Sequence, residues 1–151
     1  MINIKLKKLE HFDTSLPLPS YETAGAAGAD IRASLGPGEK MTLKPGERSL
    51  IPTGLAMEIP LGYEVQVRPR SGLSYKTGLM VVNSPGTIDS DYRGEVKIIL
   101  GNLGNKDEVI EHGDRVAQIL VAPVLQANFQ VDEELSNTER GAGGFGSTGR
   151  S

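Results

Sequence analysis

Residues 64–72 read EVQVRPRSG, a regular alternation that stops abruptly at a proline. Val65 and Val67 alternate with charged or amide residues, which is the period-two pattern of a strand with one buried face. Pro69 cannot donate to a sheet ladder, so we expect the strand to end there. A single helical turn after Pro69 is the only helical structure that the sequence indicates.

Short apolar segments of the same kind occur on both sides of this strand. They are residues 2–6, 49–51, 55–59, 80–82, 96–100 and 116–121. The 19 glycines and 9 prolines are spread between them, well above the average combined usage of about 12%. Many short strands joined by tight turns are typical of all-β proteins. We therefore predict an all-β fold, either a sandwich or a closed barrel.

Composition excludes several classes of protein. The chain has no cysteine, so disulfides and thiolate metal sites are impossible. Its net charge of −3 gives no electrostatic case for binding nucleic acid or anionic lipid. The alternating N-terminus lacks the apolar stretch of a signal peptide, and the longest apolar run is interrupted by Gln118 and Pro123. We expect a cytoplasmic protein with no membrane or nucleic-acid partner.

The length of 151 residues fits one domain with a core of its own. The last sixteen residues differ from the rest, because Phe145 is their only sizeable apolar side chain. Such a segment cannot offset an ordering entropy of about 1–2 kcal/mol per residue. We predict a β domain over residues 1–135 and a flexible, glycine-rich C-terminal segment over residues 136–151.

Five short clusters of glycine and polar residues follow one another along the chain. They are residues 27–33 (AGADIRA), 69–74 (PRSGLS), 83–94 (NSPGTIDSDYRG), 113–118 (GDRVAQ) and 140–149 (RGAGGFGSTG). Each has an ordinary explanation when taken alone. Asp30 and Ser71 can cap turns, and Asp89 and Asp91 can be solvated turn residues. Gln118 can bond to a neighbouring strand.

Other catalytic motifs are absent or out of context. Residues 141–146 match GxGxxG, but that fingerprint requires a preceding strand and a following helix, and the chain ends five residues later. The sequence contains no GxxxxGK[ST], HExxH or CxxC motif. His11 and His112 stand beside turn residues, and we expect both at the surface.

In their order and spacing, the five clusters resemble the five motifs of the trimeric deoxyuridine triphosphatase (dUTPase) family. The resemblance extends over residues 27–149, and the third and fifth motifs are the most specific; Ile31 replaces a common leucine. It implies a jelly-roll-like β-sandwich and a Mg²⁺-dependent enzyme that hydrolyses dUTP to dUMP and pyrophosphate. This activity keeps uracil out of DNA and supplies dUMP for thymidylate synthesis. It also implies a homotrimer with shared active sites.

The triphosphate, with about four negative charges, requires cations and hydrogen-bond donors. Arg70 and Arg140 are our candidates, since a planar guanidinium can grip two oxygens. Mg²⁺ would be held mainly by the phosphates, and the resemblance implies that Asp30 contacts it through water. It also implies that Ser71 donates near the oxygen between the α- and β-phosphorus, and that Gln118 binds the α-phosphate region.

Hydrolysis needs an oriented water, and one carboxylate can align it and accept its proton. From the residues alone, Asp89 and Asp91 are both candidates, because a two-residue offset can place them on one face of a strand. The family pattern assigns this role to Asp89, with attack at the α-phosphorus.

The resemblance also assigns contacts to the base and the sugar. Main-chain groups of the third motif pair with the uracil edge with help from Asn83, and Tyr92 lies beneath the deoxyribose. Phe145 stacks on the uracil, while the rest of the fifth motif closes over the γ-phosphate. The implied substrate-binding residues are Arg70, Ser71, Gly72, Asn83, Thr87, Ile88, Tyr92, Lys97, Gln118, Arg140, Phe145, Gly146, Ser147 and Thr148.

Two alternatives remain open. A dCTP deaminase-type enzyme shares this fold and its mode of phosphate binding. Release of ammonia from dCTP would support that activity. A non-catalytic nucleotide-binding regulatory domain would bind dUTP without releasing pyrophosphate. A β-barrel that binds single-stranded nucleic acid is a poorer match, because the chain has only seven aromatic residues and a negative net charge.

Overall fold

The structure, a computed structural model, describes residues 2–144 and confirms the predicted all-β fold. Within this range there are ten strands and one six-residue helix. The strands are β1 (Lys5–Lys8), β2 (Ala29–Arg32), β3 (Lys40–Leu43), β4 (Arg48–Glu58), β5 (Tyr63–Arg68), β6 (Leu79–Val81), β7 (Gly86–Ile88), β8 (Glu95–Asn102), β9 (Glu108–Glu111) and β10 (Arg115–Pro123). The helix, α1 (Ser71–Lys76), follows β5.

Two four-stranded antiparallel sheets form a sandwich. One sheet has the order β1-β4-β8-β6 and the other β2-β10-β5-β7, while β3 and β9 form a separate pair. Ile51 and Ile98 of the first sheet share one buried cluster with Ile31 and Val65 of the second. Burial of these apolar faces against each other is the main stabilising term of such a fold.

The alternating residues 64–68 form the predicted strand with one face in the core. Val65 and Val67 are buried in the core, whereas Arg68 is exposed. After Pro69 the chain turns into α1, as the sequence indicated. Strand β5 therefore delivers the second polar cluster to one end of its sheet.

Strand β4 joins two apolar segments that look separate in the sequence. Its pairing with β8 shifts register between Pro52 and Ala56, and Gly54 within this bulge has a φ of +67°. A Cβ at Gly54 would lie 2.9 Å from the Cα of Phe12, so the bulge requires glycine. The N-terminal segment is thereby packed against the middle of the sheet.

The last strand ends at Pro123, and residues 124–144 contain no further strand or helix. Leu125, Phe129 and Val131 in this segment are almost fully exposed. The domain boundary at residue 135 stays a prediction. No helix in the described range has the length and apolar character needed to cross a bilayer.

Candidate active site

Strand pairing brings the first, second and fourth polar clusters together. Asp30 on β2 lies opposite Gln118 on β10, and Gln118 lies opposite Arg68 at the end of β5. The side chain of Asp30 accepts hydrogen bonds from Arg70 Nε at 2.8 Å and from Arg115 Nη1 at 3.1 Å. These contacts join three clusters that are separated in the sequence into one polar surface.

The Asp30 carboxylate fixes the orientation of two guanidinium groups. Arg70 also donates from Nη1 to the main-chain oxygen of Arg115 at 3.3 Å. Among the described residues, these contacts engage only the Nε and Nη1 donors of Arg70, which leaves a preorganised cation for an anionic ligand. Arg115 lies in the fourth cluster, but no local pattern signals this role because the pairing with Asp30 is tertiary.

Gln118 is locked between the first and second clusters. Its Nε2 donates to the main-chain oxygen of Pro69 at 2.9 Å. Its Oε1 lies against Gly28, where an added Cβ would overlap it. A side chain at position 28 would therefore displace the Gln118 amide, although the backbone conformation there does not call for glycine.

Ser71 and Gly72 lie at the start of α1. The preceding Arg70 is extended, and no side chain caps the helix within the described part of the chain. The first N–H groups of a helix have no intrahelical acceptor, and no described atom lies within 4 Å of the Cβ position at Gly72. The backbone here can approach phosphate oxygens closely.

The third cluster forms a second group on the opposite edge of the same sheet. Strand β7 pairs with β5 so that Ile88 faces Val65 and Thr87 faces Gln66. Ile88 is buried and Thr87 is exposed. A Cβ at Gly86 would lie 3.0 Å from Asn83 Nδ2, so Asn83 packs directly on this strand.

Two carboxylates follow β7 and border an open cavity of about 520 Å³. Asp89 and Asp91 line it together with Tyr63, Glu64 and Val124 among others. Both carboxylates are exposed to solvent. A ligand in this cavity can reach both carboxylates. Asp89 and Asp91 are therefore both candidates for the carboxylate that orients water, as they are from the residues alone.

Tyr92 is held by the backbone that leads into β8. Its hydroxyl donates to the main-chain oxygen of Glu95 at 2.9 Å, and its ring lies over Gly94, where a Cβ would overlap the phenol. Lys97 Nζ lies 3.5 Å from Glu95 Oε2. Lys97 thus lies on the strand that Tyr92 contacts, but its ammonium group pairs with the Glu95 carboxylate.

The two groups of site residues do not meet within one chain. If the pairing of β7 with β5 is continued by one residue, Asp89 lies level with Glu64. Asp30 lies level with Arg68, on β2, which is three strands away from β7. Four residues of strand and three inter-strand spacings correspond to about 20 Å. A single chain therefore separates its acidic turn from its arginine cluster.

The residues around Asp30 fit a magnesium ion that is coordinated mainly by the phosphates of a bound ligand. No group of three metal-ligating side chains occurs within residues 2–144. Asp30 offers one carboxylate beside two arginines. Mg²⁺ commonly keeps several waters and binds through one or two carboxylates plus substrate phosphates. Asp30 suits a water-mediated contact with such an ion.

The fifth cluster is only partly described. Arg140 Nε donates to the main-chain oxygen of Gly143 at 2.8 Å in a local turn, so its described contacts do not bring it to the other site residues. The predicted contacts of Phe145, Gly146, Ser147 and Thr148 lie outside the described residues.

The expectation that both histidines lie at the surface is wrong for His112. Its side chain is only 11% exposed, because Nδ1 accepts from the Gly36 N–H at 3.0 Å and Nε2 lies 3.0 Å from Asp13 Oδ2. These two partners hold the ring under the loop before β3. His11 is half-exposed, as expected, with Nε2 2.8 Å from Glu95 Oε1.

Two arginines held by one carboxylate, with the start of α1 directly after one of them, are the arrangement expected of a class, the β-sandwich proteins that bind phosphate groups. The dUTPase family model matches residues 14–149, and the chain belongs to this family. It is 60% identical to the deoxyuridine 5'-triphosphate nucleotidohydrolase of Roseobacter denitrificans, over 99% of this chain and 97% of the relative.

Solved structures agree with the family model. A mutant dUTPase of Staphylococcus bacteriophage 80alpha with dUpNHpp superposes with a TM-score of 0.85 at 28% identity, covering 98% of this chain and 99% of its own. A mutant dUTPase from phage phi11 of S. aureus, described with a structural Mg(II) ion, has a TM-score of 0.76 at 25% identity and covers 87% of this chain and 97% of its own. These similarities confirm the jelly-roll-like dUTPase fold.

Proposed function

We propose that this protein hydrolyses dUTP to dUMP and pyrophosphate with the aid of Mg²⁺. The observation that carries the proposal is the convergence of Asp30, Arg70 and Gln118 on one polar surface of a chain that belongs to the dUTPase family. The first, second and fourth of the motifs that resemble the family lie next to one another in space, which supports the proposal.

The arginine cluster binds the triphosphate. Arg70, oriented by Asp30, directs its remaining N–H groups at phosphate oxygens. Ser71 donates near the oxygen between the α- and β-phosphorus, where negative charge grows as that bond breaks, and the N–H of Gly72 adds a second donor. Gln118, fixed by Pro69, binds the α-phosphate region.

Magnesium, when bound, supplies positive charge that neutralises the triphosphate and its leaving group. Asp30 is the residue of this chain that would contact its hydration shell. Its two arginine partners keep the carboxylate at a fixed orientation for that contact.

Asp89 directs the attacking water. Its carboxylate accepts a hydrogen bond from the water and takes up the proton as the oxygen bonds to the α-phosphorus. The bond from the α-phosphorus to the bridging oxygen breaks, and pyrophosphate leaves. The cavity beside Asp89 gives solvent access to this carboxylate.

The third cluster recognises the base and the sugar. Main-chain groups at Thr87 and Ile88, with Asn83, pair with the uracil edge. A cytosine there would leave donors and acceptors mismatched, which is costly in a closed site. Tyr92 lies beneath the deoxyribose, where an added 2′-hydroxyl would clash, and the neighbouring Lys97 adds a backbone contact.

The distance between the two groups supports an assembly in which different copies complete each site. The α-phosphorus must lie within a few ångströms of both sets of groups, whereas Asp89 and Asp30 of one chain are about 20 Å apart. The exposed Leu125, Phe129 and Val131 occupy a strand-free segment that has apolar surface to bury. We take the assembly to be a homotrimer, and light scattering during size exclusion tests the mass.

The fifth cluster completes the proposed site. Phe145 stacks on the uracil, and Arg140, Ser147 and Thr148 bind the γ-phosphate, while Gly146 allows the chain to fold over the ligand. Residues 136–151 would then order when the nucleotide binds. Residues 1–135 are the β domain of this proposal, and its location is the cytoplasm, which cell fractionation tests.

A panel of dUTP, dTTP, dCTP and UTP with Mg²⁺, scored by pyrophosphate release, tests the function. We expect selective hydrolysis of dUTP. Ammonia release from dCTP would instead support a deaminase of this fold. Binding of dUTP without pyrophosphate release would support a regulatory domain.

A further inference from the structure

One ionic cluster lies beside the third motif, and only the backbone of its Lys97 belongs to the proposed substrate contacts. Glu95 is the first residue of β8, and its side chain is only 11% exposed. Its Oε1 accepts from the Gly54 N–H at 2.9 Å and lies 2.8 Å from His11 Nε2. Lys97 Nζ lies 3.5 Å from Oε2. Three segments of the chain therefore meet at one carboxylate.

The surroundings of Glu95 favour its charged form. Burial alone raises the pKa of this carboxyl. The hydrogen bonds from His11 and the Gly54 N–H, together with the charges of His11 and Lys97, lower the pKa by more than burial raises it. The net pKa of Glu95 is therefore below its usual value. Hydrogen bonds to a carboxylate are shorter and stronger than those between neutral groups. At neutral pH the charged Glu95 carboxylate thus holds together the Gly54 N–H, His11 and Lys97, and we call this cluster the anchor.

The anchor is attached to the paired strands of the sandwich. Gly54 belongs to the bulge of β4, and its main-chain oxygen accepts from the Leu9 N–H at 2.8 Å. Phe12 is buried against the same glycine. The N-terminal segment that carries His11 is thus fixed on both sides of the contact with Glu95.

The anchor also touches the third motif through the backbone. The main-chain oxygen of Glu95 accepts the hydroxyl hydrogen of Tyr92 at 2.9 Å, and the ring rests on Gly94. A shift of residue 95 would therefore move the phenol. Tyr92 is 46% exposed, and within the described residues its hydroxyl has one hydrogen bond, the one to Glu95.

We propose that Glu95, held by His11 and the Gly54 N–H, is a positioning residue that sets discrimination between deoxyribose and ribose through Tyr92. The inference rests on the proposed function, in which the Tyr92 ring lies beneath the sugar. Exclusion of a single hydroxyl depends on ring placement, since displacements of about 1 Å can change rates by up to about 100-fold. The His11–Glu95 contact therefore controls selectivity without touching the nucleotide.

The test compares kcat and KM for dUTP and UTP in His11→Ala, His11→Gln and Glu95→Gln. We expect the ratio of the two kcat/KM values to fall about tenfold in His11→Ala and Glu95→Gln. The change should come mainly from better use of UTP. His11→Gln retains an N–H donor of similar reach and should restore most of the selectivity.

The matched control is Glu58→Gln, which removes an exposed carboxylate of β4 that pairs with Lys5 at 2.7 Å. Its dUTP-to-UTP ratio should stay at the parent value. If Glu95→Gln does not fold, the half-exposed His11 provides the deciding variants. An unchanged ratio in folded His11→Ala, or an equal loss of activity toward both nucleotides, overturns the inference. A parent enzyme that does not prefer dUTP would instead overturn the proposed function.

Discussion

Gly28 and Gln118 fit together so closely that a Cβ at position 28 would overlap the side-chain amide oxygen of Gln118. The other end of the same amide donates to the main-chain oxygen of Pro69 at 2.9 Å. The absence of one side chain on the first motif therefore decides where a polar group of the fourth motif can lie.

Gly28→Ala should displace the Gln118 amide and lower kcat/KM for dUTP about tenfold or more, since a small misplacement in a site is costly. Gly25→Ala is the matched control, because no described atom beyond its two chain neighbours lies within 4 Å of a Cβ there. Steady-state kinetics of the two variants measure the difference. Equal activities would show that the Gln118 contact does not matter for turnover.

Arg70→Lys should lower kcat/KM by about 100-fold, in the range found when one donor of a preorganised site is removed. Lysine keeps the charge but cannot hold Asp30 and a phosphate with one planar group. Arg68→Lys provides the control on the preceding strand, because both described side-chain contacts of Arg68 go to Gln66. Comparable losses in both variants would contradict a specific role of Arg70.

Asp89→Asn should lower kcat by about 10²–10⁴ while leaving dUTP binding intact, because the amide can still contact water but cannot accept its proton. Pyrophosphate release and calorimetric titration measure the two properties separately. Asp91→Asn changes a carboxylate in the same cavity and should remain active. The reverse pattern would assign the role to Asp91.

Asp13 contributes stability that depends on pH. The N–H and hydroxyl of Ser15, followed by the His112 ring, hold the pKa of the Asp13 carboxyl below its ordinary value of 3.8. A lowered pKa in the folded state stabilises the protein above about pH 4, and that contribution is lost as pH falls through the folded value.

Asp13→Asn should consequently lower the Tm at about pH 6–7, and the difference from the parent should shrink as pH falls from about 4 to 2. Thermal unfolding over this pH range provides the measurement. Asp107→Asn is the control for a charge change at an exposed position. A Tm difference that stays constant down to about pH 2 would exclude the carboxylate as its source.

Deletion of residues 140–151 should abolish most turnover of dUTP while leaving the assembly folded. The described range places no strand or helix beyond Pro123, so the deletion removes none of the described sandwich. Pyrophosphate release and light scattering report the two effects. Full activity of the shortened chain would remove the fifth motif from the mechanism.

The sequence predicts the strands well where one face is buried against the core. Val65 and Val67 show this, and so does the helical turn after Pro69. It does not predict that β4 continues through Pro52 and Gly54, because a bulge filled by Phe12 is a tertiary contact. Local patterns cannot reveal which distant segment occupies such a gap.

The candidate site divides in the same way. The family resemblance implies site roles for Asp30 and Gln118, the guanidinium chemistry favours Arg70, and the strand register brings the three together. The sequence does not assign a role to Arg115 or Glu95, whose partners are 85 and 84 residues away in the chain. Pairings of this kind depend on the completed fold.

The distance between Asp89 and Asp30 has a consequence for a newly made chain. In the proposed assembly, the acidic turn and the arginine cluster of each copy would serve different sites, because they lie about 20 Å apart within one chain. On the proposed function, a folded chain without partners would lack a complete site and would not turn over dUTP. Activity would begin only at association, so subunit encounter, and not folding, would set when the enzyme starts to work.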